Sequence, residues 1–205
     1  MKPGLAKNPG LAKKKVGVLS LQGDFAAHGA ALERAGAEPV FVREPAQFAL
    51  LDGLVIPGGE STTMLKLMGY EPGLFDALRE FGGRKPVFGT CAGAILMAEE
   101  VSNPAQQSFH LMDIGVERNA YGRQIDSRVT EVETEPEFER RTAPGKLEAV
   151  FIRAPIIRRV GPSARVLIRY KGDPVLVEEG RHLAATFHPE LTNDSRVHSL
   201  FLEKL

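Results

Sequence analysis

Cys91 is the single cysteine of the chain and stands between two glycines at a fixed spacing, Gly89-x-Cys91-x-Gly93. The apolar run Pro86-Val87-Phe88 leads into it and Ala94-Ile95-Leu96-Met97 leads out. The segment therefore reads as strand, sharp turn and helix with the reactive side chain at the corner, the spacing of a nucleophile elbow with cysteine in place of serine. Glycines two before and two after let the chain turn tightly and keep neighbouring backbone clear of the central side chain. Sulfur at the first turn of a helix faces unpaired N–H groups and the positive end of the helix dipole, both of which favour thiolate over thiol. The Ala92 N–H points where an oxyanion would form. A lone cysteine without such surroundings is ordinarily one more buried apolar residue, but a core position has no use for flanking glycines.

A thiolate nucleophile needs a base and an oxyanion hole. In Thr186-Phe187-His188-Pro189-Glu190 the histidine ends an apolar run, and the glutamate follows across a proline whose fixed φ lets the carboxylate turn back to orient the imidazole. That spacing alone equally fits a structural turn; Cys91 gives it chemical meaning. Pro57-Gly58-Gly59-Glu60-Ser61, also after an apolar run, can supply a second oxyanion N–H, because paired glycines let an N–H face a ligand where a Cβ would collide; taken alone the pair equally fits a plain tight turn.

The elements that must position these residues have the rhythm of an α/β protein. Strands are expected at Val16–Leu21, Pro39–Arg43, Leu54–Ile56 and Pro86–Phe88, with helices at Phe25–Ala35, from a Ser61/Thr62 cap through Met64, Leu65 and Leu67, at Leu74–Phe81 before Gly82-Gly83, and at Ala94–Glu100. Beyond Asn103, β-rich runs at Ile114–Arg118, Arg128–Val132, Ala149–Arg153, Arg165–Tyr170, Val175–Glu179 and Leu183–Phe187 lack intervening helices and read as antiparallel strands added to a parallel core. A helix over Ser195–Leu205 closes the chain. The expectation is one α/β domain, residues 16–205, with a mixed, mostly parallel sheet flanked by helices. Before it, Pro-Gly-Leu-Ala-Lys repeats at 3–7 and 9–13, ending in Lys13-Lys14-Lys15, so residues 1–15 read as a disordered leader.

Composition narrows the function. Of 205 residues, 26 are Lys or Arg and 26 Asp or Glu, a formal charge of zero that offers no field for nucleic acid or an anionic membrane. Five histidines without a second thiol give no zinc spacing, so no metal is expected. No apolar run is long enough to span a bilayer and none follows the N-terminal lysines as a signal sequence would; a cytoplasmic protein is expected.

Cys91 in Gly-Thr-Cys-Ala-Gly with the distant His188-Pro-Glu190 resembles the class I, or triad-type, glutamine amidotransferases. Ser20-Leu-Gln-Gly-Asp24, Pro57-Gly-Gly-Glu-Ser-Thr-Thr63, Glu117-Arg-Asn-Ala-Tyr-Gly-Arg-Gln124, Phe151-Ile-Arg-Ala-Pro155 and Phe187-His-Pro-Glu-Leu-Thr192 narrow the resemblance to the glutaminase subunits of pyridoxal 5'-phosphate synthase, over Val16 to Leu205. The resemblance implies a flavodoxin-like core and a Cys91–His188–Glu190 triad with Gly59 and Ala92 as oxyanion donors. It implies glutamine contacts at Gly59, Glu60, Ser61, Arg118, Ile152 and Arg153. It further implies hydrolysis of L-glutamine to glutamate and ammonia through a cysteine thioester, with the ammonia passed to the synthase's barrel subunit (PdxS) in a large hetero-oligomer. Pyridoxal 5'-phosphate is then a product, and no cofactor is implied. The family's glutaminase is poorly active until the synthase docks and the peptide near Gly59 reorients. An arginine such as Arg118 suits the carboxylate of a free amino acid. The residues leave open a glutaminase serving histidine or purine synthesis, against which the segments 117–124 and 151–155 argue, and a non-catalytic or redox thiol protein on the same fold.

Overall fold

A computed structural model describes residues 12–119 and 127–205. The expected leader lies outside the described residues up to residue 11, and its last member, Lys15, already belongs to the first strand. Among the described residues no helix is long and apolar enough to cross a membrane.

Strand β1 (Lys15–Leu19) leads to helix α1 (Phe25–Ala35), which stops at Gly36 in the left-handed region. After β2 (Glu38–Val42) and β3 (Gly53–Ile56) come α2 (Ser61–Met68) and α3 (Leu74–Arg84), then β4 (Val87–Thr90), α4 (Ala92–Met97) and β5 (Ala98–Ser102). The second half adds β6 (Met112–Glu117), β7 (Arg128–Thr134), α5 (Pro136–Arg141), β8 (Leu147–Phe151), β9 (Ile156–Val160), β10 (Ala164–Tyr170), β11 (Asp173–Glu179), β12 (His182–Ala185) and α6 (Arg196–Leu202).

Nine strands form one sheet in the order β2-β1-β3-β4-β12-β11-β10-β7-β8. From β2 to β12 every neighbour is parallel, and from β12 to β8 every neighbour is antiparallel. Strand alternation splits the core over the two faces. Leu54 and Ile56 of β3 and Ala184 of β12 pack with Met64, Leu78 and Leu96 under α2, α3 and α4. Val16 and Val18 of β1, Val55 of β3 and Phe88 of β4 pack with Leu32, Leu200 and Phe201 under α1 and α6.

Several details differ from expectation. First, β12 is not an antiparallel addition: it pairs parallel with β4 in the middle of the sheet. Second, β6 leaves the large sheet and joins β5 and β9 in a separate three-stranded sheet. The expected helix to Glu100 ends at Met97 because segment 108–111 captures the carbonyls it would need. Phe109 N–H donates to Leu96 O (2.7 Å), Leu111 N–H to Met97 O (3.0 Å) and Ser108 Oγ to Ala98 O (2.7 Å). Third, Gly82-Gly83 does not stop α3. A Cβ at Gly82 would stand 2.6 Å from Leu111 Cδ1, so glycine serves a close approach there. Fourth, α2 is capped by Glu60 rather than by Ser61 or Thr62. The Glu60 carboxylate accepts from the N–H groups of Thr62 and Thr63, while Ser61 is buried and its hydroxyl donates to Gln106 Oε1.

Candidate active site

Four adjacent parallel strands, β1, β3, β4 and β12, each end in a loop at the same edge of the sheet, the place where α/β proteins bind ligands. The loops carry Gln22 to Asp24, Gly59 to Ser61 (after Gly58), Cys91 and His188. With Arg118, Asn119, Ile152 and Arg153 they line a pocket of about 310 Å³, small-molecule size. Every residue expected to act in the site lies in or beside it: Glu190 is packed behind His188, and Ala92 follows Cys91 at the start of α4.

Cys91 has φ 48° and ψ −101°, a conformation that costs a non-glycine residue about 1–3 kcal/mol. The turn is held from both sides. The Cys91 N–H donates to Ala185 O of β12 (2.8 Å), and the Cys91 carbonyl accepts from Ile95 N–H (3.2 Å). The flanking glycines are needed for space. A Cβ at Gly93 would stand 2.0 Å from Ile56 O, and one at Gly89 would stand 2.5 Å from the Gly93 carbonyl carbon. The thiol is 6% exposed and its Sγ lies 3.9 Å from the Ile152 carbonyl.

His188 is fixed by its backbone, whose N–H donates to Val150 O of β8 (2.8 Å), and by its ring, whose Nδ1 lies 2.7 Å from Glu190 Oε1. Glu190 belongs to the short 3-10 turn Pro189–Leu191, so the proline-led return of the carboxylate has the expected form. A carboxylate on Nδ1 keeps the proton there and leaves Nε2 to face the thiol. Nε2 has no hydrogen-bond partner among the described residues, because the thiol rests against Ile152. Burial alone would lower the pKa of His188. The neighbouring sulfur of Cys91 and the hydrogen-bonded carboxylate of Glu190 outweigh it and hold the ring up at about 10, the imidazolium that a sulfur anion needs as its counter-ion. Burial raises the pKa of Glu190 while His188 opposes that rise.

The opposite wall carries complementary charge. Partial burial pushes Glu60 up, yet the hydrogen bonds from Thr62 and Thr63 prevail and bring it down to about 2, so it is an anion. Arg118, 10% exposed in its side chain, places Nη2 3.5 Å from Glu60 Oε1, and its Nε is buried without a partner among the described residues.

Three neighbours of the triad were not legible from motif spacing. Gln22 Oε1 accepts from the Glu60 N–H (2.8 Å), and Asp24 N–H donates to Gly58 O (3.3 Å), which ties the first loop to the Gly-Gly loop. Asp24 also puts a carboxylate oxygen 3.5 Å from His188 Nδ1. Gly58 lies against the imidazole, where a Cβ would be 2.2 Å from Cε1. Both loops were marked by their glycines; their contact follows only from β1 and β3 being sheet neighbours. Asp24, His188 and Glu190 could together hold a cation, their ligand atoms lying within 4.8 Å of one another, but an ion there would take the Nδ1 that Glu190 already holds.

Residues 18–205 match the family model described as the SNO glutamine amidotransferase family. The chain is 73% identical over 192 residues to the pyridoxal 5'-phosphate synthase subunit PdxT of Solibacter usitatus (strain Ellin6076), covering 94% of this chain and 100% of that protein. It is 56% identical to the PdxT subunit of Koribacter versatilis (strain Ellin345), covering 92% and 94%. A crystal structure of a glutamine amidotransferase superposes with a TM-score of 0.82 at 45% identity, covering 92% of this chain and 97% of that one.

Proposed function

The chain belongs to the SNO glutamine amidotransferase family, and from that membership we propose how it works as the glutaminase subunit of a pyridoxal 5'-phosphate synthase in vitamin B6 biosynthesis. The observation that carries the mechanism is the convergence of Cys91, the His188–Glu190 pair and Arg118 on one pocket.

L-Glutamine enters with its carboxylate toward Arg118 and its ammonium toward Glu60; the mutual ion pair of these two residues then opens to a zwitterion of matching polarity. Gly59, Ser61, Ile152 and Arg153 complete the walls. The Cys91 thiolate attacks the side-chain amide carbon, and the carbonyl electrons move to oxygen, where the N–H groups of Gly59 and Ala92 receive the charge. His188 delivers a proton from Nε2 to the amide nitrogen as the C–N bond breaks, releasing ammonia and leaving a glutamyl thioester. Water then loses a proton to His188 and attacks the thioester, and glutamate departs with the thiolate restored. Glu190 keeps the ring in one tautomer and stabilises its charged form throughout. Thiolate, imidazole and N–H groups supply every charge this route needs, so it uses neither metal nor cofactor; pyridoxal 5'-phosphate is the product of the complex.

The ammonia passes to a barrel subunit of the synthase, PdxS in kind, within a hetero-oligomer in the cytoplasm. On this reading the tie from Asp24 N–H to Gly58 O belongs to a resting form of the Gly-Gly peptide, which docking of the barrel would release. Glutamate release should be measured alone, with the barrel subunit, and with synthases of histidine and purine synthesis. Stimulation by the barrel subunit alone is expected. Stimulation by another synthase instead, or unchanged release from Cys91→Ser, would overturn the reading.

A further inference from the structure

Behind the triad lies a second pair of imidazoles. His28 of α1 and His198 of α6 are fully buried. His28 Nε2 lies 3.3 Å from Glu190 Oε2 and 2.9 Å from Thr90 Oγ1, and His28 Nδ1 lies 3.1 Å from His198 Nε2. His188 takes one oxygen of the carboxylate and His28 faces the other. We propose that His28 is a positioning residue for glutamine hydrolysis: its Nε2–H edge faces the second oxygen of Glu190, which is buried with no hydrogen bond among the described residues, and His198 fixes the tautomer that presents an N–H there rather than a lone pair. The proposal rests on the triad reading above.

Proton placement follows from the contacts. A neutral imidazole has one donor and one acceptor. Burial keeps both rings neutral, lowering His28 well below its ordinary value and His198 to about 3. Glu190, ionised beside the His188 imidazolium, can only accept. A bare Nε2 on His28 would turn its lone pair toward that oxygen, so the proton sits on Nε2, where it bonds Thr90 Oγ1 (2.9 Å) and its dipole faces Glu190 Oε2. Nδ1 of His28 is then an acceptor and receives the Nε2–H of His198. This leaves Nδ1 of His198 unprotonated, and it is the ring atom found buried with no partner. The opposite set of tautomers would strand an N–H there, which interiors tolerate less well than a bare acceptor. The carboxylate thus lies between the His188 hydrogen bond at Oε1 and the positive edge of the His28 ring at Oε2, which favours the plane that aims His188 at Cys91.

Substitutions of His28 separate this role from packing. In His28→Gln the amide nitrogen reaches the place of Nε2; in His28→Asn it reaches only that of Nδ1. Both are polar and buried alike, so thermal melting of the two should agree within a few degrees. With the synthase present, His28→Gln should keep kcat within roughly threefold of the wild type. His28→Asn should lose roughly tenfold in kcat, the worth of a buried N–H dipole facing a charge, at nearly constant KM. Equal kcat in the two variants, or a loss confined to KM, would overturn the proposal. Glu190→Gln is measured beside them: if it loses activity while His28→Asn does not, only the role of His28 falls, whereas an active Glu190→Gln would remove the triad reading itself.

Discussion

Replacing Gly58 by alanine probes the site with a single methyl group. Gly58 lies outside the left-handed region, so alanine adopts its backbone without strain. The new Cβ would nevertheless stand 2.2 Å from His188 Cε1, 2.8 Å from Nδ1 and 3.2 Å from Nε2. Carbon atoms settle at about 3.5 Å or more, so ring and loop must part by about 1.3 Å. The ring is the constrained partner, held at Nδ1 by Glu190 and through its backbone by Val150. Overpacking of this kind costs about 1–3 kcal/mol of stability, or about 2–12 °C in melting temperature for a chain of this size. A misplacement of about 1 Å in a catalytic group costs about a hundredfold in rate. The assay is glutamate release in the presence of the synthase, with kcat and KM separated and a thermal melt alongside. We expect a folded protein with kcat down about a hundredfold and a smaller rise in KM, because Glu60 shares the Gly58–Ser61 loop while Arg118 does not. A folded Gly58→Ala protein with wild-type kcat would show that His188 need not stand where it does.

Cys91→Ser should fold and bind glutamine yet lose roughly a thousandfold or more in stimulated turnover; activity within tenfold of the wild type would refute its role as nucleophile. Arg118→Lys keeps the charge but loses the planar fork, so KM for glutamine should rise about tenfold with kcat little changed, as read from initial rates. Gly93→Ala pushes a Cβ to 2.0 Å from the Ile56 carbonyl, backbone against backbone, and should cost about 3 kcal/mol or more in denaturant unfolding; an unaffected midpoint would refute the close packing of α4 on β3. Stability should peak near pH 6.5. Burial lowers His28 well below its ordinary value, His182 to about 4 and His198 to about 3, so below pH 6.5 the unfolded chain binds protons that the folded one refuses. Their stabilisation is complete above pH 6.5 and falls by up to about 4 kcal/mol per pH unit as pH drops toward 4. His188, raised to about 10, acts in the other direction: its contribution is complete below pH 6.5 and is lost as pH rises toward 10. Urea midpoints that stay flat from pH 5 to 9 would contradict both.

Cys91, His188 and Glu190 were legible because their chemistry leaves local marks. Glycines at 89 and 93 answer contacts with nearby backbone, and the proline at 189 returns a carboxylate two residues after its histidine. The parallel half of the sheet was legible from apolar runs separated by helical stretches. What escaped was set by contacts between distant segments. The Glu-Glu of β5 has helical propensity, but residues 108–111 claim the carbonyls ahead of it. Gly82-Gly83 looks like a stop and is instead a surface for Leu111. His28 sits in a helix with nothing in its own neighbourhood to mark it; only the packing of α1 beside α6 and the 189–191 turn makes it a neighbour of Glu190.

Strand β12 enters the sheet between β4 and β11, although β4 ends at Thr90 and β12 begins only at His182. A ribosome therefore releases the nucleophile's half of the molecule long before the imidazole exists, and the centre of the sheet stays open until residues 182–185 arrive to fill it. An unfinished chain carries a thiol with no proton partner and cannot squander glutamine. Closure of the core and arming of the sulfur become a single event.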